Sequence, residues 1–314
     1  MTDRTIVVLA GGLSHERDIS LRSGRRVADS LHQAGTTVIM RDPDATLLEY
    51  LTQNRPDVVW PVLHGASGED GTLKALLDFL GIPFVGSRSE ATRLAWDKPT
   101  AKTLVARAGV PTPHWISLTR DSFRELGATA VLDVTSRELP VPVVVKPARG
   151  GSAQGVRAVD SADELPRAMV GAYTYSEAAI VEQKIVGTEI AVSIIDTGDG
   201  PVALPAVEIV PISGFYSFEA RYTAGETRYF APARISDEVA ARAAEVAIAA
   251  HEALGLRHIS RIDLIVDAAG TPWFLEASTM PGLTETSLFP LALEAAGHDV
   301  GWVYSALADA ALNG

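Results

Sequence analysis

Apolar and polar positions in the first third of the chain alternate between short strand-like runs and longer amphipathic stretches. Residues 5–10 read as a buried strand ending at Gly11-Gly12, and helical spacing of apolar residues follows over about 17–33. Further strands are predicted at 36–40 and 57–63, and a helix over about 72–80. This alternation predicts an α/β unit with a parallel sheet, whose ligand groups gather at the C-terminal strand ends. Residues 87–108 read as helical up to the punctuation Gly109-Val-Pro111-Thr-Pro113. Strands return at 141–146, 155–159 and 179–185, with a helix at about 162–172. The last third predicts strands at 189–196 and 203–210, an irregular loop over about 212–227, a helix over 236–254, a hairpin and two closing helices. Boundaries near 87 and 182 divide the chain into an N-terminal α/β domain (1–87), a small central domain (88–182) and a C-terminal domain (183–314).

The hairpin carries the most information. Leu264-Ile-Val266 and Trp273-Phe-Leu275 flank the turn Asp267-Ala-Ala-Gly270-Thr-Pro272, which sets Asp263 on one strand and Glu276 on its neighbour. Two carboxylates side by side repel unless a cation lies between them, and hard oxygen donors favour Mg²⁺. Pro281-Gly282 follows, leaving backbone N–H groups free beside the acids. The pattern points to phosphoryl transfer rather than a structural ion.

Composition narrows the field. A length of 314 residues allows two or three packed units. A net charge of −12 disfavours nucleic acid and anionic membrane as partners, yet local Lys, Arg and Mg²⁺ can still offset the phosphates of a nucleotide. The absence of cysteine removes disulfides, thiolate catalysis and Cys-based zinc sites. Met1-Thr-Asp-Arg4 is too short and too acidic for a secretion signal, and no apolar run approaches the ~20 residues of a membrane helix. The expectation is a soluble cytoplasmic protein.

The Walker and dinucleotide fingerprints, the nucleophile elbow and the His-Glu-x-x-His zinc motif are all missing. What occurs instead is Val144-Val-Lys146-Pro147-Ala-Arg149-Gly150-Gly151-Ser152-Ala-Gln-Gly155. A Lys at a strand end followed by a Gly-rich loop can cap phosphates with one ammonium and several N–H groups, or be an ordinary hairpin with a surface Lys. Lys98, beside Asp97, reads by itself as a solvated residue near a helix start. Glu182 and Glu189 bracket a strand-turn-strand, where a carboxylate can bind a ribose diol or simply face solvent.

Together these segments resemble the ATP-grasp fold, and within it the D-alanine–D-alanine ligases. The resemblance spans about residues 6–295. It rests on Gly11-Gly12-Leu-Ser14-His15-Glu16-Arg17-Asp-Ile-Ser20, on His64-Gly-Ala-Ser-Gly-Glu69-Asp70-Gly71, on Asp97-Lys98 and on the Lys146-Pro loop. Phe218-Glu219-Ala-Arg221-Tyr222 adds to it, as does the run Arg261-x-Asp263, Glu276, Pro281-Gly282 and Ser287-Leu288-Phe-Pro290. It implies ATP-driven joining of two D-alanines through an acyl phosphate, for cell-wall precursor. It places Lys98, Lys146 and Arg221 on ATP phosphates, Glu182 near adenine and Glu189 on ribose. Asp263, Glu276 and Ser278 would hold two Mg²⁺ ions, or Mn²⁺ in their place. Arg261 and the Gly282 N–H would stabilise the oxyanion. Glu16 and His64 would meet the first D-alanine, with Ser152 and Tyr222 joining Glu16 under a lid at 212–227. Ser287 and Leu288 would meet the second D-alanine. The family's habit of pairing through the N-terminal unit implies a homodimer.

Each residue also has a plainer reading. His64 can cap its turn, Tyr222 can be a half-buried loop aromatic, Ser20 a helix-surface hydroxyl and Ser287 only a helix N-cap. Two positions depart from the family pattern. Ser278 stands where Asn usually offers a carbonyl to the second ion, and a hydroxyl on a shorter arm reaches it through water. Ala153 replaces a second Ser and removes one hydroxyl from the phosphate loop. Two alternatives therefore stand beside the leading reading. One is a paralogous ligase joining other amino acids in a biosynthetic or self-resistance role. The other is a nucleotide-binding protein without ligase activity.

Overall fold

The computed structural model describes residues 4–313. Met1, Thr2 and Asp3, which carry most of the segment read for a targeting signal, lie outside the described residues, as does Gly314. Strands β1 (Thr5–Leu9), β2 (Thr37–Arg41) and β3 (Val58–Pro61) form a parallel sheet in the order β2-β1-β3, as the alternation predicts. The Val-rich β1 and β3 are almost wholly buried, as strands covered on both faces must be. Helix Arg17–Gln33 lays Val27 and Leu31 into this core. Gly24 lets it come close, because a side chain there would collide with Ala10 Cβ.

A four-stranded antiparallel sheet follows, made of β4 (Trp115–Thr119), β5 (Val143–Pro147), β6 (Arg157–Val159) and β7 (Ala178–Gln183) in the order β4-β7-β5-β6. The third sheet runs β11-β10-β8-β12-β13, with β9 paired to β8. Its strands are β8 (Gly187–Ile195), β9 (Val202–Ala203), β10 (Val207–Pro211), β11 (Thr227–Phe230), β12 (Ile259–Asp267) and β13 (Pro272–Ser278). A parallel α/β unit is thus joined to antiparallel α+β units.

Several elements differ from the sequence expectation. Residues 114–140, for which no element is predicted, hold β4 and helices Arg120–Glu125 and Ala128–Glu138. The longer helix buries only Thr135, so it has no apolar face to read. The short helices Leu47–Gln53 and Ala66–Glu69 went unread as well. The helical stretch 87–108 is two helices, Ser89–Trp96 and Lys98–Arg107, broken at Asp97. Asp97 is extended, and its carboxylate accepts the Thr100 N–H at 3.1 Å and hydroxyl at 2.7 Å, an N-cap with Pro99 in the first turn. That break puts Lys98 at a helix start. The run 203–210 divides into β9 and β10 around Pro205, which has no N–H for a ladder. The expected loop at 212–227 contains a helical turn, Phe218–Tyr222, capped by Ser217.

The last helix, Val300–Asn313, returns to the first sheet. Tyr304, Leu307, Ala308 and Ala311 share one core with Ile6, Val8, Val27 and Trp60, and the Trp60 and Tyr304 rings meet edge to face at 5.2 Å. Helices Ser89–Trp96 and Lys98–Arg107 instead join helix Asp237–Ala253 on the third sheet, through Ala91, Ala95, Ala101, Val105, Ala243 and Ala247. Three sheets tied together in this way leave a cleft where their loops meet. Among the described residues no helix is long and apolar enough to cross a membrane.

Leu307→Ala should cost about 2–5 kcal/mol, since Leu307 is fully buried in the core joining the two ends of the chain. Urea denaturation should show a lower midpoint with an unchanged slope.

Candidate functional site

Two connected cavities fill the cleft. The larger, about 580 Å³, is lined by Glu16, His64, Ser152, Tyr222, Arg261 and Ser287 among others. The smaller, about 240 Å³, lies between β5, β7, the segment 183–187 and β8. Lys98, Gly150, Gly151, Tyr216, Arg221 and Glu276 line both.

The acidic hairpin stands at their junction. Asp263 and Glu276 are register partners on β12 and β13, beside a bulge between Asp263 and Leu264. Directly opposed residues share a face, so the two carboxylates are neighbours as expected. Arg261 grips Asp263 bidentately, its Nε donating at 2.6 Å and its Nη2 at 2.7 Å. Lys98 Nζ lies 3.3 Å from Glu276 Oε2 and donates to Gly150 O at 2.6 Å. Burial would raise the Glu276 carboxyl, but Lys98, Lys146, Arg221 and Arg261 outweigh it and hold it at about 2. Glu189 goes the other way. Desolvation pushes it up to about 7, against Arg221 and with the help of Asp263 and Glu276.

These residues suit a hard divalent cation. Among the described residues no three His, Cys, Asp or Glu side chains converge on one point. Two carboxylates leave the rest of an octahedron to phosphate oxygens and water, which is how Mg²⁺ is commonly held. Ser278 is the register partner of Arg261 and lines the larger cavity beside Glu276, so a neutral oxygen lies next to the acids.

Lys146 ends β5 and forms an ion pair with Glu182 on β7, Nζ to Oε1 2.6 Å. Lys102 Nζ lies 3.0 Å from the other oxygen of the same carboxylate. Glu182 lines the smaller cavity, but its carboxylate is engaged by two lysines that hold it below the usual range against the effect of burial. The loop after β5 turns through left-handed residues at Ser152 (φ 52°) and Ala153 (φ 57°). Among the described residues the N–H groups of Gly150, Gly151, Ser152 and Ala153 donate to no atom of the chain. Four open amides in succession make an anion cradle.

On the N-terminal side, Glu16 stands at the start of helix Arg17–Gln33. Ser152 Oγ donates to Glu16 Oε1 and is hydrogen-bonded to the Tyr222 hydroxyl, which also lies 3.3 Å from that carboxylate oxygen. One hydroxyl pair thus joins the first sheet, the phosphate loop and the turn at 218–222. Arg221 stacks on the Tyr216 ring at 4.0 Å, and the Tyr216 and Tyr229 hydroxyls are 2.9 Å apart. His64 is buried, and desolvation lowers its pKa against the pull of Glu16, so its ring is neutral. Its Nε2 has no partner among the described residues. It does not cap the following turn, because Glu69 Oε1 accepts the Gly65 N–H at 3.0 Å.

Two other plain readings fail. Ser20 is fully buried, its hydroxyl donating to Val62 O at 2.5 Å and accepting the Gly11 N–H at 2.9 Å. Ser287 occupies the N-cap position of helix Leu288–Ala295, but its Oγ turns back to accept the Thr284 N–H at 3.1 Å. The first amides of that helix, at Leu288, stay open beside the larger cavity. Gly282 packs so closely on Ser287 that a Cβ would lie 2.8 Å from its Oγ, and among the described residues its own N–H has no acceptor.

Sequence reasoning missed Lys102, Glu69 as a cavity acid, and Tyr216. Glu69 is pushed up to about 7 by burial and by Glu16. Lys102 lies four positions after Lys98 on one helix, and that spacing was the available signal.

The models described as D-ala D-ala ligase N-terminus and D-ala D-ala ligase C-terminus match residues 44–87 and 104–310. A D-alanine–D-alanine ligase of Gloeobacter violaceus is 41% identical over 314 residues, covering 98% of this chain and 99% of that one. The crystal structure of the VanG D-Ala:D-Ser ligase from Enterococcus faecalis superposes with a TM-score of 0.85 at 28% identity, covering 99% of this chain and 100% of that one. A D-alanine–D-alanine ligase from Bacillus anthracis complexed with ATP gives a TM-score of 0.80 at 27% identity, over 99% and 97% of the two chains.

Tyr222→Phe removes the only side-chain hydroxyl that the helical turn presents to Ser152 and Glu16. Limited proteolysis within 212–227 should then run several-fold faster, roughly as the loss of ~1–2 kcal/mol of loop anchoring implies.

Proposed function

The chain belongs to the D-alanine–D-alanine ligase family, and from that premise we propose that it joins two D-alanines to D-alanyl-D-alanine with conversion of ATP to ADP and phosphate. The observation that carries the reading is the convergence of the Asp263–Glu276 pair, Lys98, Lys146 and Arg261 on one cleft closed by the Glu16–Ser152–Tyr222 set. A nucleotide in the smaller cavity would direct its phosphates at Lys98, Lys146 and the open amides 150–153. Glu182 and Glu189 flank the nucleoside end of this cavity, and Arg221 reaches in from the lid.

The first D-alanine occupies the larger cavity with its ammonium toward Glu16 and neutral His64 beside it. Its carboxylate attacks the γ-phosphorus, the bond to ADP breaks, and an acyl phosphate forms. The amine of the second D-alanine, having lost a proton, attacks the acyl carbon, and phosphate leaves. Arg261 and the Gly282 N–H stabilise the oxyanion of that step, a contribution often worth roughly 3–4 kcal/mol per donor. The Ser287 hydroxyl and the open Leu288 amide hold the second carboxylate. The closed lid keeps water from the acyl phosphate. Bound by Asp263, Glu276 and, through water, Ser278, two Mg²⁺ or Mn²⁺ ions would offset phosphate charge during transfer.

The reading includes a role in peptidoglycan precursor synthesis, a cytoplasmic location where ATP is supplied, and a homodimer. A second reading, ligation of a different second amino acid, is favoured by Ser278 and by the likeness to a D-Ala:D-Ser ligase. Mass spectrometry of the reaction with ATP, Mg²⁺ and D-alanine separates the two. D-alanyl-D-alanine with stoichiometric phosphate is expected; product only with another amino or hydroxy acid would favour the second reading. Glu276→Ala should bring product below detection while the far-UV spectrum stays that of the parent, and persistent turnover would remove Glu276 from the metal site. Ser278→Asn should lower the Mg²⁺ concentration for half-maximal rate; an unchanged requirement would separate Ser278 from the second ion.

A further inference from the structure

Lys102 belongs to none of the roles above, although its side chain is fully buried within the cleft's supporting wall. Two segments meet at its ammonium. Glu182 on β7 offers Oε2 at 3.0 Å, and Thr112, in the segment leading to β4, accepts a hydrogen bond at 2.5 Å. The Thr112 hydroxyl spends its single proton on Phe274 O at 2.9 Å, so it can only accept from Lys102. Phe274 lies two residues before Glu276 on β13, and its own N–H donates to Pro111 O at 2.7 Å.

The arrangement has an electrostatic consequence. Lys146 has Glu182 at 2.6 Å, and both side chains are less than 8% exposed. A buried lysine paired one-to-one with a carboxylate is neutralised and has little potential to offer a phosphate. Lys102 shares the same carboxylate through its other oxygen, so two cations divide one anion and the group keeps a net charge of about +1. Lys102 cannot reach the nucleotide itself, since it lines neither cavity. Its ammonium is also held down to about 8, burial being the main cause, with Lys146 adding to it and Glu182 opposing.

We propose that Lys102 is a positioning residue for nucleotide binding, offsetting Glu182 so that Lys146 keeps its positive charge for the phosphates. The proposal rests on the nucleotide reading of the smaller cavity. It differs from a packing role in one respect: what matters is the charge sum over Lys102, Glu182 and Lys146, not the presence of the Lys102 side chain.

Calorimetric titration of the full chain with ADP and Mg²⁺ tests this. Lys102→Met keeps the volume and leaves no donor orphaned, because Thr112 still donates to Phe274 O. It should weaken ADP binding at least about tenfold, while the apparent KM for D-alanine changes by less than about twofold. Adenosine, which carries no phosphate, should bind the same variant to within about threefold of the parent. A purely structural Lys102 would weaken adenosine and ADP alike, and that result would overturn the proposal. Unchanged ADP affinity in Lys102→Met would overturn it as well. If that variant does not fold, Lys102→Gln, which keeps a polar donor toward Thr112 and Glu182, decides alone: a loss of about tenfold for ADP with adenosine binding unchanged supports the charge division, and parental ADP affinity overturns it. A parent chain that binds no ADP would overturn the nucleotide reading itself, and the charge division with it.

Discussion

Charge balance in a desolvated cleft is the constraint on which the rest of this structure depends. Arg261 sits against Asp263, Lys98 against Glu276, and Lys102 and Lys146 against Glu182, all largely removed from water. Isolated, each of these ions would cost several kcal/mol to bury. Placed two residues apart on one strand, on neighbouring strands or at a helix start, they offset one another. The antiparallel β12–β13 ladder is what makes this possible, since it fixes Asp263, Glu276, Arg261 and Ser278 relative to one another through main-chain bonds. The helix break at Asp97 does the same for Lys98.

The cleft is assembled from pieces that no single sheet could supply. The first sheet contributes Glu16 and His64 from the C-terminal ends of its strands, as open parallel sheets do. The second contributes a loop in which the amides of residues 150–153 donate to no atom among the described residues, and the third contributes the charged hairpin. Ser152 and Tyr222 then join across these units, so one set of hydroxyl contacts ties all three together.

Much of this was legible in the sequence, for reasons that differ by element. The hairpin could be read because β-rich runs flank a turn with Gly and Pro, whereas the bulge between Asp263 and Leu264 that sets Asp263 opposite Glu276 left no mark in the sequence. Helix Arg17–Gln33 could be read because its apolar face meets a sheet. Residues 114–140 could not, because their helices lie exposed and carry almost no buried positions. Lys102 left only a weak trace, its place four positions after Lys98 on one helix. Its partner Glu182 is eighty positions away, and a lysine on a helix looks solvated until the fold brings a carboxylate and a hydroxyl to it. The same holds for Ser20, whose hydroxyl joins Gly11 to Val62 in place of water.

The return of helix Val300–Asn313 to the first sheet has a bearing on how the protein is made. Ile6 and Val8 leave the ribosome long before Tyr304, Leu307 and Ala311, which complete the same core. The N-terminal unit therefore stays unfinished through synthesis of nearly the whole chain, with one face of its sheet lacking its cover. Long-range closure of this kind is slow, and an uncovered apolar face invites association with other chains or with a chaperone.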